Sequence, residues 1–204
     1  MSDTVYIDHK LYVREHIRIK NMLCSCCVRV VRSLLESSGI LVESLEPGKA
    51  VILLPDGIDD LTPVDHILSD AGMGLIRGRE EIMVESVKQN VIDLIHRMNN
   101  VNSIVQKSDF LVEKTGMSFQ YLSRLFARHY PVTLEKYIIL NKIERIKELI
   151  DQGEFTLSEI AYMMDYNSVH YLSGQFKKYT GYSVTEYKSG KGRKVLLDQI
   201  GYSK

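Results

Sequence analysis

The feature that most constrains this fold is an internal repeat, with a spacing of 50 residues, in the second half of the chain. SFQYLSRLFARHYPVTLEKY at 118–137 aligns with SVHYLSGQFKKYTGYSVTEY at 168–187, and six of the twenty positions are identical. Both copies keep a leucine and a phenylalanine four residues apart, namely Leu122 with Phe126 and Leu172 with Phe176. Such a pair lies on one face of a helix. The repeat therefore predicts two copies of one helical unit, each burying the same stripe.

A short helix and a helix-breaking segment precede each copy. DFLVEK follows Ser108 in the first copy, and LSEIAYMM follows Thr156 in the second; the breakers are TG and DYN. A short helix, a tight turn and a capped second helix form the helix-turn-helix pattern. TLEKYIILNKIERIKELI at 133–150 is the long helix expected to join the two units.

The first part of the chain has a different periodicity, in which β-like runs alternate with helical ones. HIRIK at 16–20 reads as a strand, and CVRVVRSLLESSG at 27–39 as a helix ending at Gly39. The segment 40–55 predicts a hairpin around EPGK, 62–73 a helix with Thr62 as N-cap, and GLIRG a last strand. We therefore predict an α+β N-terminal module, ferredoxin-like βαββαβ, followed by an all-α domain with two helix-turn-helix units joined by a long helix.

The segment 80–98 carries apolar residues in a 3-4-3-4 spacing, at Val84, Val87, Val91, Leu94 and Met98. A coiled-coil seam is one interpretation, but two heptads are fewer than such a seam needs. We favour a helix that lays this face on its own domain.

From about Val87 to Lys188 the sequence resembles the DNA-binding domain of AraC-type transcription regulators, a bacterial type of regulator. The resemblance is carried by LSEIAYMMDYNSVHYLSGQFKKYTGYSVTEYK in the second unit. Asp165 and Val184 stand where the family usually has glycine and proline. Because Asp tolerates the left-handed conformation better than most residues, the turn at Asp165 is expected to survive.

Burial of the shared stripe leaves an outward face on each second helix for contact with DNA. The expected DNA-binding residues are Gln120, Ser123, Arg124 and Arg128 in the first helix and His170, Ser173, Lys177 and Lys178 in the second. Arg pairs bidentately with guanine and Gln with adenine in the major groove. Gly174 replaces the arginine of the first copy, so we expect the first unit to read bases and the second to anchor on phosphates. The competing interpretation is that these charges are merely a solvated face.

All three cysteines of the chain, Cys24, Cys26 and Cys27, lie within four residues between a predicted strand and a predicted helix. A helix N-terminus stabilises a thiolate, and thiolates select Cu(I) and, to a lesser degree, Zn(II). Residues 11–78 resemble a heavy-metal-associated domain through Met22, Cys24 and Cys27, with departures at Asn21 and Leu23. The resemblance implies Cu(I) or Zn(II) on Cys24 and Cys27, with Cys26 dispensable.

Other readings of the cysteines stay open. They are a thiol redox sensor that forms a Cys24–Cys27 disulfide, a degenerate domain that serves only dimerisation, a metallochaperone and a thiol-based alkyl acceptor. No nucleophile–base constellation accompanies the cysteines, so we expect no enzyme.

The expected organisation is a heavy-metal-associated-like domain at 11–78, the AraC-type domain at 79–188 and a mobile tail at 189–204. No apolar run approaches the ~20 residues that cross a bilayer, and the N-terminus lacks a signal-peptide core, so we expect a cytoplasmic protein without membrane contact. The formal net charge is zero and gives no hint of a polyanionic partner. Expected partners are double-stranded DNA and RNA polymerase, and the sequence is also compatible with a homodimer.

Overall fold

The computed structural model describes residues 3–58, 60–97 and 107–202. It divides into two compact units, Met1–Ser86 and Val87–Lys204. The first is rich in strands and the second is helical. The predicted mixture of an α+β N-terminal region with a helical C-terminal region is therefore confirmed.

The first unit is built on an antiparallel sheet of five strands. These are β1 Thr4–Ile7, β2 Lys10–Lys20, β3 Leu41–Glu46, β4 Lys49–Pro55 and β5 Gly74–Ile76. The strand order is β1-β2-β4-β3, and β5 pairs with the far end of β2, where Arg18 faces Ile76. β1 and β5 therefore occupy successive stretches along the same edge of β2.

The N-terminal hairpin was missed at the sequence level. β2 begins at Lys10, six residues before the predicted strand, and β1 precedes it. The two-residue turn between them is Asp8-His9, with φ values of 47° and 64°. Two-residue turns of this kind usually contain a glycine that makes them recognisable in the sequence, and this turn has none.

Two helices pack their apolar sides against the sheet, α1 at Ser25–Ser37 and α2 at Thr62–Ser69. Gly39, at φ 78°, ends α1 as predicted. The N-cap of α2 is Leu61, so the assignment of Thr62 as N-cap was wrong. The Asp60 carboxylate instead accepts hydrogen bonds from the Thr62 amide at 2.8 Å and the Thr62 hydroxyl at 2.6 Å.

α3 spans Arg79–Ile92 and continues as a π-helical turn at Asp93–Arg97. This matches the predicted helix at 80–98, of which Met98 lies outside the described residues. Val84, Val87 and Val91 are buried within the chain. These three positions are therefore not available for a coiled-coil seam.

The second unit contains six further helices in its described part. They are α4 Lys107–Thr115, α5 Phe119–His129, α6 Leu134–Gln152, α7 Leu157–Met163, α8 Val169–Thr180 and α9 Val184–Lys188. α4 with α5 and α7 with α8 form the two predicted helix-turn-helix units, joined by α6. The rings of Phe126, Tyr130 and Tyr137 fill the core of the first helix-turn-helix unit. The core of the second helix-turn-helix unit contains Ile146, Leu172 and Phe176. Each unit therefore packs on its own end of α6.

The C-terminal segment, predicted to be a mobile tail at 189–204, lies against the helical unit as far as Tyr202. It contains a short 3-10 turn at Leu197–Gln199, and Ile200 is only 2% exposed. Three of its hydrogen bonds use backbone groups, namely the Arg193 and Ile200 carbonyls and the Val195 amide, which a pattern of side chains does not reveal. Within the described ranges, no helix has the length and apolar character needed to cross a membrane.

Candidate nucleic-acid interface and the cysteine pair

The second helix of each helix-turn-helix unit begins at the same residue of the repeat. The Ser118 hydroxyl accepts a hydrogen bond from the Tyr121 amide at 3.3 Å, and Ser168 accepts one from Tyr171 at 3.1 Å. Both serines are N-caps, and such caps satisfy an amide that the helix itself leaves without a partner. One reason for the repeat of these serines is therefore local helix initiation.

The turns that precede the two helices use different residues in the same left-handed conformation. Gly116 has φ 68° in the first unit, and Asp165 has φ 58° in the second. The expectation that Asp165 tolerates the conformation usually given to glycine is confirmed. In the second unit, α7 starts with a capping box in which Thr156 and Glu159 satisfy each other's backbone amides.

The buried stripe of α5 sets which residues face outward. Leu122, Leu125 and Phe126 are at most 1% exposed. The opposite side of the helix carries the predicted contact residues, of which Gln120, Arg124 and Arg128 are exposed and Ser123 is half-buried. The structure thus brings the four predicted residues of the first unit together on one helix.

Arg124 is loosely held, whereas Ser123 has a defined partner. Arg124 donates through Nε to the Gln120 carbonyl at 3.4 Å, and its Nη atoms have no hydrogen-bond partner in the described part of the chain. The Ser123 hydroxyl donates to Glu135 Oε1 at 2.7 Å, and this hydrogen bond lowers the pKa of Glu135. Arg124 is therefore free to reach a ligand, while Ser123 is occupied by a carboxylate at the start of α6.

The second helix-turn-helix unit also exposes the predicted contact residues on its second helix, but fewer of them can recognise a base. His170, Lys177 and Lys178 are exposed on α8, and Ser173 is half-buried. A Cβ added at Gly174 would meet no atom within 4 Å, so this position is an open gap on the outward face. The arrangement offers two amines for phosphate contact and a single imidazole for a base edge.

Two outward tyrosines were missed at the sequence level. Tyr121 and Tyr171 are 39% and 55% exposed and sit in the first turns of α5 and α8. Tyrosine hydroxyls commonly contact DNA phosphates, so both are candidates for backbone contact. The sequence did contain a signal for them. The tyrosine is identical in the two copies of the repeat, although it does not belong to the buried stripe.

The cysteines lie at the start of α1. Cys24 is the N-cap residue, and its Sγ is 3.2 Å from Sγ of Cys27, both residues being half-buried. Cys26 is exposed, and Arg29 Nη2 donates to its sulfur at 3.3 Å. The two sulfurs of the C-x-x-C pair therefore converge, while the third points elsewhere.

The two converging thiols differ in acidity. Burial raises the pKa of Cys24, but the hydrogen bond from the Cys27 thiol and the dipoles of the nearby Cys27 and Cys26 amides outweigh it and lower the pKa overall. The Cys24 side chain makes no capping hydrogen bond to α1. Burial, together with the Cys24 thiolate, raises the pKa of Cys27. Cys24 is thus the more acidic of the two thiols.

The loop before Cys24 is pinned at Asn21. Asn21 adopts φ 64°, a conformation that asparagine tolerates in place of glycine. Its side chain donates to the Gly72 carbonyl at 3.0 Å, and its amide donates to Glu85 Oε1 of α3 at 2.7 Å. Among the described residues, no group of three or more His, Cys, Asp or Glu is placed to hold a metal ion. The cysteine site is therefore a pair of sulfurs, and the loop that leads to it is hydrogen-bonded to α3.

Two capped helix-turn-helix units with basic outward helices define a DNA-binding class of protein. Comparison with known families agrees, since residues 111–190 match the family model described as a helix-turn-helix domain, of AraC type. The match spans both units and supports an AraC-type DNA-binding transcription regulator. No curated protein and no solved structure matches the chain. The heavy-metal-associated resemblance of residues 11–78 stays a prediction.

Proposed function

We propose that this protein is a sequence-specific, AraC-type transcription regulator that places α5 and α8 on one DNA duplex. The observation that carries the proposal is the duplication of a capped helix whose buried side is constant and whose outward side is basic. Neither helix contains an acidic residue, which suits an approach to phosphates. Such a protein acts in the cytoplasm on double-stranded DNA, with RNA polymerase as its expected protein partner.

The two helices contribute unequally. On α5, Arg124 has the fork that pairs with guanine, and Gln120 one turn earlier suits adenine. On α8, Lys177 and Lys178 are point charges that suit phosphates, and Gly174 offers no reading group. We therefore assign most direct base readout to the first unit and mainly anchoring to the second.

The test of this proposal is a binding titration of the full chain, at fixed salt, on DNA sites selected from a random library. Arg124→Ala is expected to weaken binding by ~1–3 kcal/mol and to relax specificity at one base pair. Arg124→Lys keeps the charge but loses the bidentate fork. Compared with Arg124→Ala, the Arg124→Lys variant should therefore recover more of the affinity for mixed-sequence DNA than of the affinity for the selected site.

Arg32→Ala is the matched control, because Arg32 is a half-buried helical arginine of the N-terminal unit whose ion pair is with Glu36. It should leave both affinities unchanged. Failure of the full chain to select any sequence, or equal affinity of Arg124→Ala and the unaltered protein, would contradict the proposal.

We further propose that the N-terminal unit is ferredoxin-like and that Cys24 and Cys27 form its input site. Support comes from the strand order β5-β2-β4-β3, from sulfurs 3.2 Å apart and from the lowered pKa of Cys24. Two thiolates that hold one ion between them lie farther apart than 3.2 Å, so Cys24 and Cys27 would bind such an ion after a side-chain rotation that separates the sulfurs. Structural zinc sites need four ligands, so this two-sulfur donor set fits Cu(I) better than Zn(II).

Glu85 is the proposed link between the cysteine loop and α3. Its buried carboxylate accepts the Asn21 amide three residues before Cys24, and α3 continues to Ile92. A change of the loop on ligand binding would alter this hydrogen bond. A ligand can shift the DNA-binding equilibrium only through such a difference between two states.

A metal titration of the full chain tests the input site. Each chain is expected to bind one Cu(I) ion. The Cys24→Ser and Cys27→Ser variants should lose this binding, and Cys26→Ser should retain it. Competition with a Cu(I) chelator gives a readout independent of DNA. No uptake above that of the Cys24→Ser, Cys27→Ser double variant would overturn the metal proposal.

A redox input is the second candidate, favoured by the same sulfur separation and by the unequal acidities of the two thiols. The Cys24 thiolate is the one that would attack an oxidant, with Cys27 as the resolving thiol. Mass spectrometry after mild oxidation distinguishes it, because a Cys24–Cys27 disulfide lowers the mass by two hydrogens. If neither metal uptake nor disulfide formation occurs, the unit is left with a dimerisation role, which sedimentation of the full chain would measure.

A further inference from the structure

The C-terminal segment 191–202, called the strap below, runs antiparallel to α6 along its whole length. Lys194 pairs with Asp151 near the end of α6 at 2.8 Å. The Val195 amide donates to Glu144 in the middle of α6 at 2.8 Å, and the Ile200 carbonyl accepts the Tyr130 hydroxyl at 2.7 Å just before α6 begins. The strap therefore passes from the second helix-turn-helix unit to the first.

Its first anchor is on α9. Lys191 pairs with Glu186 at 3.0 Å, and Gly192 lies so close to the Tyr182 ring that an added Cβ would come within 2.9 Å of it. Gly192 also has φ 86°, so both space and conformation require glycine here. The strap thus leaves α9 along a fixed path.

The second anchor is a buried ion pair on α6. Lys147 Nζ is 2.6 Å from Glu144 Oε1, and the two side chains are 6% and 8% exposed. The strap completes the pair, since Lys147 also donates to the Arg193 carbonyl at 2.9 Å and Glu144 Oε2 accepts the Val195 amide. A buried ion pair is stable only when its remaining donors and acceptors are satisfied. The strap therefore supplies hydrogen-bond partners to a buried ion pair in the interior of the second helix-turn-helix unit.

The third anchor is at the end of the first recognition helix. Tyr130 is the C-cap residue of α5, and its ring meets the Tyr202 ring edge-on at 5.0 Å between centroids. Gly201 approaches Tyr130 and Val132 so closely that a Cβ would lie 2.9 Å from each. Ile200 is buried at the same place. The strap therefore holds the residue on which α5 ends.

We infer that the strap is a positioning element for DNA recognition: it fixes α8 relative to α5 and so sets the spacing between the two half-sites that the protein accepts. This inference rests on the proposed function. The end of α3 and the π-helical turn after it also touch both helix-turn-helix units, since Lys88 Nζ is 5.3 Å from the Tyr130 ring centroid and His96 in the turn is 3.5 Å from Glu148 of α6. Loss of the strap is therefore expected to loosen the two units and not to separate them.

The test compares the full chain with a chain truncated after Gly190 and with Ile200→Ser. Each is titrated on the selected two-half-site DNA, on DNA that keeps only the first half-site, and on two-half-site DNA with five base pairs inserted. Both variants should lose roughly tenfold on the two-half-site DNA, because avidity depends on simultaneous engagement. Their affinity for the first half-site should stay within about twofold, and the penalty for the insertion should shrink.

A DNA-free measurement separates failure of this inference from failure of the proposed function. Spin labels at Gln120→Cys and His170→Cys, with Cys24, Cys26 and Cys27 changed to serine, report the distance between α5 and α8. A broader distance distribution on truncation is expected. An unchanged distribution, or equal losses on one and two half-sites, would overturn the inference even in a protein that binds DNA well.

Discussion

The two helix-turn-helix units share their interior and differ on their surface. Ser118 and Ser168 cap equivalent helices, and Phe126 and Phe176 are fully buried in equivalent places. Outward, however, Arg124 of the first unit corresponds to Gly174 of the second. Caps and buried stripes are what the local fold requires, so they are retained while the outward face diverges.

The same contrast holds at the start of the helix that follows each recognition helix. Thr133 caps α6 and Ser183 caps α9, whereas Glu135, which accepts the Ser123 hydroxyl, is replaced by Thr185 in the second unit. In the second helix-turn-helix unit the carboxylate lies one position later, at Glu186, where it accepts the Ser183 amide and pairs with Lys191. The carboxylate of the following helix therefore contacts the recognition helix in the first unit and caps α9 in the second.

The largest expected effect tests whether the two interiors are equivalent. Phe126→Ala and Phe176→Ala should each lower the free energy of unfolding by ~3–5 kcal/mol, because each removes a fully buried ring from a packed core. Urea unfolding followed by circular dichroism measures both. A loss below about 1 kcal/mol for either variant would mean that its core is not packed as described.

Gly174→Arg tests the difference between the outward faces. Nothing lies within 4 Å of the added Cβ, so the side chain fits without a clash. The variant should gain ~1–3 kcal/mol of discrimination at the second half-site, as a bidentate contact to guanine provides. Gly174→Ala controls for the higher helix propensity and should gain stability without base discrimination. Equal DNA selectivity of both variants would mean that α8 does not face the bases.

The shared caps provide a smaller test of equivalence. Ser118→Ala and Ser168→Ala should each cost ~1 kcal/mol of stability, since each removes the acceptor of a first-turn amide. Ser→Asp at either position restores the acceptor and should recover the stability. Thermal unfolding of the four variants gives the comparison, and a loss at one cap but not the other would break the equivalence of the two units.

The smallest expected effect is the pH dependence of stability that arises from Glu148, near the end of α6 that packs on the second helix-turn-helix unit. The hydrogen bond from His96, and then that from Arg145, lowers the pKa of Glu148 to about 2 against burial. Because the folded pKa lies below the ordinary 4.5, the stabilisation is complete above pH 4.5 and is lost as the pH falls toward 2. Since the carboxylate is partly exposed, we expect only ~0.5 kcal/mol. His96→Ala should flatten the stability curve between these pH values, and an unchanged curve would contradict the assignment.

The sequence anticipated whatever depends on local patterns. The 50-residue repeat located both recognition helices, Gly39 ended α1, and the left-handed conformation of Asp165 followed from its residue type. The spacing of Cys24 and Cys27 also anticipated that their sulfurs converge. These features depend on helix periodicity and on conformational preference within a few residues.

Features that depend on distant backbone groups were not anticipated. The strap is held by contacts such as that between Tyr130 and Ile200, 70 residues apart, in which the acceptor is a backbone carbonyl. The link from Asn21 to Glu85 likewise joins an amide to a carboxylate 64 residues away. Since every residue carries a carbonyl and every residue except proline an N–H group, no side-chain pattern marks which of them will be used.

The most direct test of the account is to randomise each half of the selected DNA site separately and measure the affinity of the unaltered full chain at fixed salt. The account predicts that randomising the half bound by α5 weakens binding by about 10- to 100-fold, and that randomising the half bound by α8 weakens it by less than about fivefold. Equal losses, a larger loss for the α8 half, or no loss at either half would contradict the division between reading and anchoring.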